Sequence, residues 1–410
     1  MRSIRLTEDV PLNYLGNFQQ FGGFCYFYLQ TRYRSDSDQI VAPMSPTASI
    51  AAVDRVPAIP LLHLSEISMI IPVYNGGESF RRCLASLEQF VPPTVEVIVV
   101  IDGGSDACEQ AARSFGAKVI RLDRNRGPAY ARNVGAQAAR GDLLFFVDAD
   151  VAIHWDTLTQ VALAFESNPK LDALIGSYDD TPGAANFLSQ YKNLLHHYTH
   201  QISREEASTF WGACGAIRKS VFFDVGGFDE AYRYPSIEDI ELGYRLKQYN
   251  YSIGLCKQVQ VTHLKRWGVR SLLKADFFYR ALPWTELIWR DRTLVNDLNL
   301  DTNSRLSVVA VYSLVTCLIC IPFSFWAVNG AIVCSLVLLL LNVSVYRFFL
   351  HKRSLPFALQ VIPWHWLYYA YSGIAFVLGT VKYWIRSESG ADRRRRFAVA
   401  QPSSRLMTQK

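Results

Sequence analysis

Phe146-Val147-Asp148-Ala149-Asp150 closes the apolar run Leu143 to Val147 with two carboxylates one residue apart. A continuous apolar run of this length reads as a strand buried on both faces. The two-residue period of a strand points Asp148 and Asp150 the same way as the run ends. Carboxylates so placed suit a hard cation, Mg²⁺ or Mn²⁺, which takes further oxygens from a substrate's phosphates. A solvated strand-to-loop turn also favours aspartate, so the pair alone leaves both readings open.

The surrounding sequence narrows the choice. Between residues 67 and 265 strand and helix patterns alternate, the signature of a mostly parallel sheet with helices on its faces. Strands are expected over Ser68 to Val73, Glu96 to Ile101, Lys118 to Leu122 and Leu143 to Val147, and helices over Glu78 to Gln89, Ala107 to Phe115 and Pro128 to Arg140. In the first of these helices Phe80, Leu84 and Leu87 recur at helical spacing while Arg81, Arg82 and Glu88 fall elsewhere, so it is amphipathic. Open sheets of this kind bind ligands outside the carboxyl ends of their strands. Tyr74 and Asn75 follow the first strand, Asp102 closes the second, and Asp148 and Asp150 close the fourth. Polar groups delivered by three strand ends to one edge favour a binding site over a set of unrelated turns.

Composition sets the outer bounds. A chain of 410 residues has room for one sizeable domain and more. Its net charge of +6 is not interleaved with aromatics in the manner of a nucleic-acid surface, so no nucleic-acid partner is expected. Eight cysteines show no paired framework, and Cys317-x-x-Cys320 sits in an uncharged apolar run where helix packing is a better account than redox chemistry. All eight fit a reducing cytoplasm. No signal peptide is read in the first 40 residues, which charges interrupt. Residues 1–66 read as a poorly ordered extension with an aromatic patch, Phe24-Cys25-Tyr26-Phe27-Tyr28, and a Pro-containing linker, and Met44 is an alternative start.

From Leu306 to Tyr346 there is no Asp, Glu, Lys or Arg. As one helix that run would be about 60 Å long, twice the hydrocarbon thickness of a bilayer, so it must fold back. Val328-Asn329-Gly330 is the expected turn, giving spans near 307–327 and 331–349 within a transmembrane region 305–386. A third span is expected at 361–381, although Pro363, His365 and the tyrosines around them also suit an interfacial segment. The basic clusters His351-Lys352-Arg353 and Arg393 to Arg396 flank that third run, and a re-entrant or surface-lying segment would keep both on one side. Residues 387–410 read as a basic disordered tail. The aromatic and basic stretch Arg266 to Arg292, within 266–304, reads as amphipathic helices at headgroup level or as an ordinary surface pair.

Taken in order, Ser68-Met69-Ile70-Ile71-Pro72-Val73-Tyr74-Asn75, Val99-Val100-Ile101-Asp102-Gly103-Gly104-Ser105, Asn125-Arg126-Gly127-Pro128-Ala129, Arg132-Asn133-Val134-Gly135 and Asp148-Ala149-Asp150 form a series. The set resembles the successive motifs of glycosyltransferase family 2, over roughly residues 67–267. The resemblance implies a GT-A fold (a Rossmann-like α/β architecture), a nucleotide-diphospho-sugar donor and an inverting reaction. One departure is Asp102-Gly103-Gly104-Ser105, where the family commonly has Asp-Asp-Gly-Ser.

The same resemblance assigns roles. Pro72, Tyr74 and Asn75 lie on the donor side. Asp102 would accept a hydrogen bond from the imide N–H of a uracil-type base, or is a turn aspartate before Gly-Gly. Gly127 lets the backbone approach the donor, and Arg132 meets phosphate or caps a helix face. Asp150 is the expected metal ligand of the D-x-D motif, and Asp148 meets ribose or the metal's water shell. Ser236 to Arg245 places Glu238 and Asp239 at a helix start, either as a capping box from Ser236 to Asp239 or as the family's Glu-Asp motif, whose Asp is the general base. His263 joins the metal shell or is structural, and Lys265 and Arg266 would steady diphosphate or lipid headgroups. Thr209 to Ala216 resembles the acceptor-side strand, with Trp211 and Gly212 on it, and Trp211 stacks on a ligand or packs.

The expected function is an inverting, metal-dependent glycosyltransferase that takes a UDP-sugar and a lipid or lipid-linked acceptor. It is expected as a multi-pass membrane protein with its catalytic domain in the cytoplasm. Arg266-Trp267 lacks the preceding Gln of the Q-x-x-R-W motif of processive relatives, so transfer of one or a few sugars is expected. A dehydrogenase is disfavoured because no G-x-G-x-x-G follows the first strand, and a transporter because the apolar runs hold no charge. A catalytically silent sugar-nucleotide-binding or scaffold subunit is the remaining alternative.

Overall fold

The computed structural model describes residues 64–104, 106–292 and 301–388. The aromatic patch, Met44, Ser105 and the arginine run of the tail lie outside the described residues. The chain first lays down β1 (Ile67–Val73), α1 (Gly77–Phe90), β2 (Glu96–Asp102), α2 (Asp106–Phe115), β3 (Lys118–Leu122), α3 (Pro128–Ala138) and β4 (Leu143–Val147). Each lies within two residues of its expected bounds. It continues through β5 (Val151–Ile153), α4 (Thr157–Ser167), β6 (Ala173–Tyr178), α5 (Phe187–Ile202), β7 (Cys214–Arg218), α6 (Lys219–Asp224), α7 (Glu238–Gln248) and β8 (Ile253–His263).

The eight strands form one sheet in the order β3-β2-β1-β4-β7-β6-β8-β5. β1 pairs in parallel with β2 and β4, β2 with β3, and β6 with β8, whereas β7 is antiparallel to β4 and β6, and β5 to β8. The sheet is therefore mixed, with only β5 and β7 reversed. Strand alternation divides its side chains between two cores. Met69, Ile71, Val99, Ile101, Phe145 and Val147 face α1, α2 and α4, against Phe80, Leu87, Ala112 and Val161. Ile70, Ile98, Val100, Leu144 and Phe146 face α3, α6 and α7, against Ala129, Ala136, Phe222 and Leu242. With apolar cover on both faces, the edge outside the carboxyl ends of the strands is left for polar groups.

Beyond the sheet, α8 (Val269–Lys274) runs through a π-turn, Ala275–Ala281, into α9 (Leu282–Asp291). Then follow α10 (Thr302–Cys320), α11 (Trp326–Leu341), α12 (Val343–Lys352) and α13 (Leu355–Glu388). Among the described residues α10 is long and apolar enough to cross a membrane, and α11 with α12, bent by 61° at Asn342, passes only as a joined pair.

The turn between α10 and α11 falls at Ile321 to Phe325, and the expected turn Val328-Asn329-Gly330 lies inside α11. Pro322 explains the shift, since it lacks an N–H and its ring obstructs the preceding helical turn. Residues 361–381, expected as a third span, lie inside α13. α13 is about 50 Å long at 1.5 Å per residue; its two ends touch α5 and α9, and its middle packs on α10 and α11 through Trp366, Tyr369 and Ala370. Ala358 and Val361 are buried against Tyr191 and Leu194 of α5, Tyr371 donates to Asp276, and Trp289 of α9 donates to Thr380.

The basic cluster at the end of α12 is tied to the sheet domain. Lys352 pairs with Asp180 at 2.6 Å, and the Arg353 guanidinium donates to Gln190 Oε1 and to the Asp180 carbonyl.

Candidate active site

Asp102 ends β2 almost completely buried. Its Oδ1 accepts from the Arg126 N–H at 2.7 Å and its Oδ2 from the Gly127 N–H at 2.9 Å. Burial pushes its pKa upward against these two bonds. The carboxylate thus fastens the loop before α3 to the sheet edge, and each oxygen keeps a second acceptor site.

Gly103 and Gly127 both have positive φ, 70° and 95°, and a Cβ would fall 2.7 Å from the Asn125 nitrogen at the first and 2.5 Å from the Arg233 carbonyl at the second. The departure from Asp-Asp-Gly-Ser is accommodated here by a loop packed directly on residue 103. At the end of β1, Pro72 is half-buried in the strand, Tyr74 is exposed and Asn75 takes a left-handed backbone conformation at φ 51°.

Arg132 was expected at the donor's phosphates or on a helix face, and the structure places it in the interior. It is 4% exposed. One terminal nitrogen donates to Asp148 Oδ1 at 2.6 Å and the other to Glu238 Oε1 at 2.9 Å. Burial opposes its charge, and Asp148, Glu238 and Asp239 together outweigh that cost and hold the guanidinium ionised. Gly212 makes the room, since a Cβ there would lie 3.0 Å from the guanidinium carbon. The same guanidinium stands 5.4 Å from the centroid of Phe228. Asp148 is therefore largely neutralised by a protein cation.

Asp150 is left as the open carboxylate. β5 pairs with β8 in a register that sets Val151 opposite His263, which brings the residue before β5 beside the end of β8. His263 Nε2 lies 3.8 Å and Lys265 Nζ 3.9 Å from Asp150 Oδ2, beyond direct hydrogen-bond reach. Burial pushes the Asp150 carboxyl up, but His263 and Lys265 outweigh it and hold it down at about 2. His263 is itself buried and stacked on Tyr178 with ring centroids 4.3 Å apart.

Among the described residues no three His, Cys, Asp or Glu side chains cluster as a complete metal cage. Asp150 and His263 are instead a partial set, open on one side. That fits Mg²⁺ or Mn²⁺, which are commonly held by one or two side chains and completed by substrate phosphates and water.

On the other side of the edge, α7 begins at Glu238, with Ile237 as its N-cap. The capping box from Ser236 to Asp239 is not formed. Ser236 Oγ donates to the Tyr279 carbonyl at 2.7 Å, and the Ser236 N–H donates to Glu238 Oε2 at 2.8 Å. Asp239 Oδ2 accepts from the Gly212 N–H at 3.1 Å and Oδ1 from the Ile240 N–H at 2.8 Å. Burial, and then the charge of Glu238, push Asp239 up to about 6 against the Gly212 bond and the cations Arg132 and Arg280.

Trp211 packs edge-on against Tyr178 at 4.7 Å and touches the contacting pair His196 and His200, so its ring is part of the wall behind the metal corner. Tyr178 was missed by the sequence reading. Its signal was available, because it closes β6 as Asp102 closes β2. The structure thus gathers Asp102, Gly127, Asp148, Asp150, Glu238, Asp239, His263, Trp211 and Gly212 around one edge, with Arg132 beneath them.

Replacing Arg132 by Gln leaves Asp148 and Glu238 without their buried cation. The expected cost is about 3–5 kcal/mol of stability, read as a lowered thermal-unfolding midpoint of the purified chain. An Arg132→Gln protein that unfolds at the wild-type temperature would show that the bridge holds nothing.

Comparison with known proteins follows the geometry. The sequence profile of Glycosyl transferase family 2 matches residues 68–226. An uncharacterized glycosyltransferase of Haemophilus influenzae is 30% identical over 192 residues, 44% of this chain and 62% of that protein. The poly-beta-1,6-N-acetyl-D-glucosamine synthase of Staphylococcus epidermidis is 28% identical over 200 residues, 46% of this chain and 47% of that protein. Among solved structures, S. aureus TarS 1-349 in complex with UDP-GlcNAc aligns with a TM-score of 0.42 at 19% identity, covering 75% of this chain and 90% of that one. The chain spans less than two thirds of the length of these two sequence relatives. With the acidic edge of a mixed α/β sheet and the matched profile in agreement, the domain built by residues 68–226 belongs to Glycosyl transferase family 2.

Proposed function

We propose that this chain transfers a sugar from a UDP-sugar to an acceptor hydroxyl by a single inverting displacement, with Mg²⁺ or Mn²⁺ as cofactor. The observation that carries this reading is one sheet edge, in a domain that matches the family profile, that sets Asp150 beside His263 and Asp239 on the Gly212 N–H; their surroundings hold Asp150 down and push Asp239 up. Environments that separate two acids in this way mark different chemical roles. Asp150 stays ionised and suits a cation. Asp239 sits where a proton can be taken near neutral pH.

In this reading Asp102 and the Asn125 to Gly127 loop take the base, and Asp150 with His263 holds the cation. A bound divalent ion would offset charge developing on the leaving nucleotide diphosphate. Asp239, oriented by the Gly212 N–H, accepts the proton of the attacking hydroxyl. Arg132 keeps Asp148 and the Glu238–Asp239 pair at a fixed separation, which is the requirement for one displacement across the sugar.

We place the enzyme on a membrane, with a lipid or lipid-linked acceptor and the catalytic domain in the cytoplasm. Support comes from the apolar side chains that α10, α11 and the turn between them leave exposed, among them Ile319, Phe323, Phe325, Trp326 and Leu340. The sheet domain holds Lys352 at the end of α12 and packs on the start of α13, so the α10–α12 hairpin is the part that enters the bilayer.

Four outcomes are expected. Purified chain with UDP-sugars and Mn²⁺ releases UDP, and Asp150→Ala and Asp239→Asn each cut that rate by about 10²–10⁴-fold; release unchanged in both would favour a silent binding subunit. Chelation stops the reaction and Mn²⁺ or Mg²⁺ restores it. Because the base works deprotonated and its pKa is raised, kcat/KM falls about tenfold per pH unit below about 6 and levels off above it; a profile flat down to pH 4 would exclude Asp239. Alkaline carbonate leaves the chain in the membrane pellet, and its quantitative release would exclude the hairpin as an anchor.

A further inference from the structure

The π-turn Ala275–Ala281 is clamped from three directions. The Ser236 hydroxyl donates to the Tyr279 carbonyl, and Tyr234 stacks on the Tyr279 ring at 6.2 Å. Lys192 of α5 reaches both oxygens of the buried Asp276 at 2.7 and 2.8 Å. Tyr371 of α13 donates to Asp276 Oδ2 at 2.8 Å. Turns of this kind are rare and concentrate at functional sites. Nothing in the apolar packing calls for so much polar anchoring.

The residue that the clamp presents is Arg280. It follows Tyr279, whose carbonyl grips the segment leading to Glu238 and Asp239, and it is open to solvent. Its charge acts first on Asp276 of the same turn, and then on Tyr178 and Asp239. The bond from Ser236 to the Tyr279 carbonyl sets its turn beside the segment that carries the base. Arg132, Lys192 and Lys265 each have a carboxylate within 4 Å. Arg280 has no such ion pair among the described residues. An arginine fixed on an anchored turn, wetted, and with no carboxylate within 4 Å is arranged to receive an anion from a ligand, and its planar fork matches two oxygens of a phosphate.

We propose that Arg280 binds a phosphate group carried by the acceptor, beside the hydroxyl that Asp239 deprotonates. The proposal rests on the glycosyl-transfer reading above. A phosphate at this place has two sources, the acceptor and the donor's diphosphate. The acceptor is favoured by position: the cations Lys265 and Arg266 and the ligands Asp150 and His263 stand at the ends of β4 and β8, whereas Arg280 comes from the base side. There its turn is held by Lys192 of α5 and Tyr371 of α13, the helices that face the hairpin. An acceptor with its phosphate at the membrane surface would meet Arg280 as its hydroxyl meets Asp239.

The test uses the full chain in detergent, titrated calorimetrically with UDP and Mn²⁺, and then, once saturated, with inorganic phosphate. Wild type is expected to bind phosphate on top of UDP. Arg280→Gln should weaken phosphate binding by about tenfold or more, as for loss of charge-assisted hydrogen bonds, and change UDP affinity by less than about twofold. Arg280→Lys, which keeps the charge, should restore part of the loss. Equal phosphate binding by wild type and Arg280→Gln, or none by wild type, would overturn the proposal. A parallel loss of UDP affinity would overturn it in favour of the donor's diphosphate. A wild-type chain that binds no UDP with Mn²⁺ would sink the glycosyl-transfer reading itself, an outcome distinct from the others.

Discussion

One buried guanidinium sets the geometry on which the site depends. Arg132 joins Asp148, at the end of β4, to Glu238, at the start of α7. These carboxylates lie 90 residues apart in the chain, and each leads directly to a residue of the opposed pair, Asp150 and Asp239. A cation inside a protein is tolerated only when paired and hydrogen-bonded, and the cost of removing either partner is large. The arrangement is correspondingly specific: Gly212 must lack a side chain to admit the guanidinium, and its own N–H holds Asp239. Three sequence motifs thus meet on one side chain.

The opposed tuning of the acids follows from what surrounds each. Both Asp150 and Asp239 are disfavoured by burial, so burial does not separate them. Asp150 has a histidine and a lysine within 4 Å, delivered by the strand that pairs with β5. Asp239 has Glu238 next to it, and Arg132, one of the two cations that act against that rise, is shared with two other carboxylates. Like charge beside one and unlike charge beside the other is enough to part them. A change that freed Arg132 from Glu238 would therefore alter the base as well as the scaffold.

Much of this was legible in the chain. Apolar runs such as Leu143 to Val147 and Glu96 to Ile101 fix strands because little else buries them, and polar residues at their ends fix the edge where ligands bind. The less legible features all depend on long-range contact. Arg132 reads as a helix-face arginine, and only the approach of Gly212, eighty residues on, shows that it is buried. The neighbourhood of Asp150 and His263 depends on a three-residue strand crossing to the far end of the sheet. In the apolar region, Val328-Asn329-Gly330 carries turn residues but Pro322 carries the stronger obstruction, and a local reading weighed composition above geometry. The π-turn leaves no sequence signal, because its cause is the clamp around it.

The joint between the sheet domain and the apolar helices combines two kinds of contact with different consequences. Its exposed pair, Lys352 with Asp180, is about one third exposed on each side and belongs to the class worth roughly 0–1 kcal/mol. The holding force comes from the seam of Tyr191, Leu194, Val345, Phe349, Ala358 and Val361, all buried. Burial of Lys192 with Asp276 adds little net stability, since desolvation offsets most of the attraction. What it adds is direction: with Tyr371 donating to the same carboxylate, only one rotational setting of the π-turn satisfies both. The apolar seam fixes how firmly the helices hold the domain, and the buried polar joint fixes which way Arg280 faces.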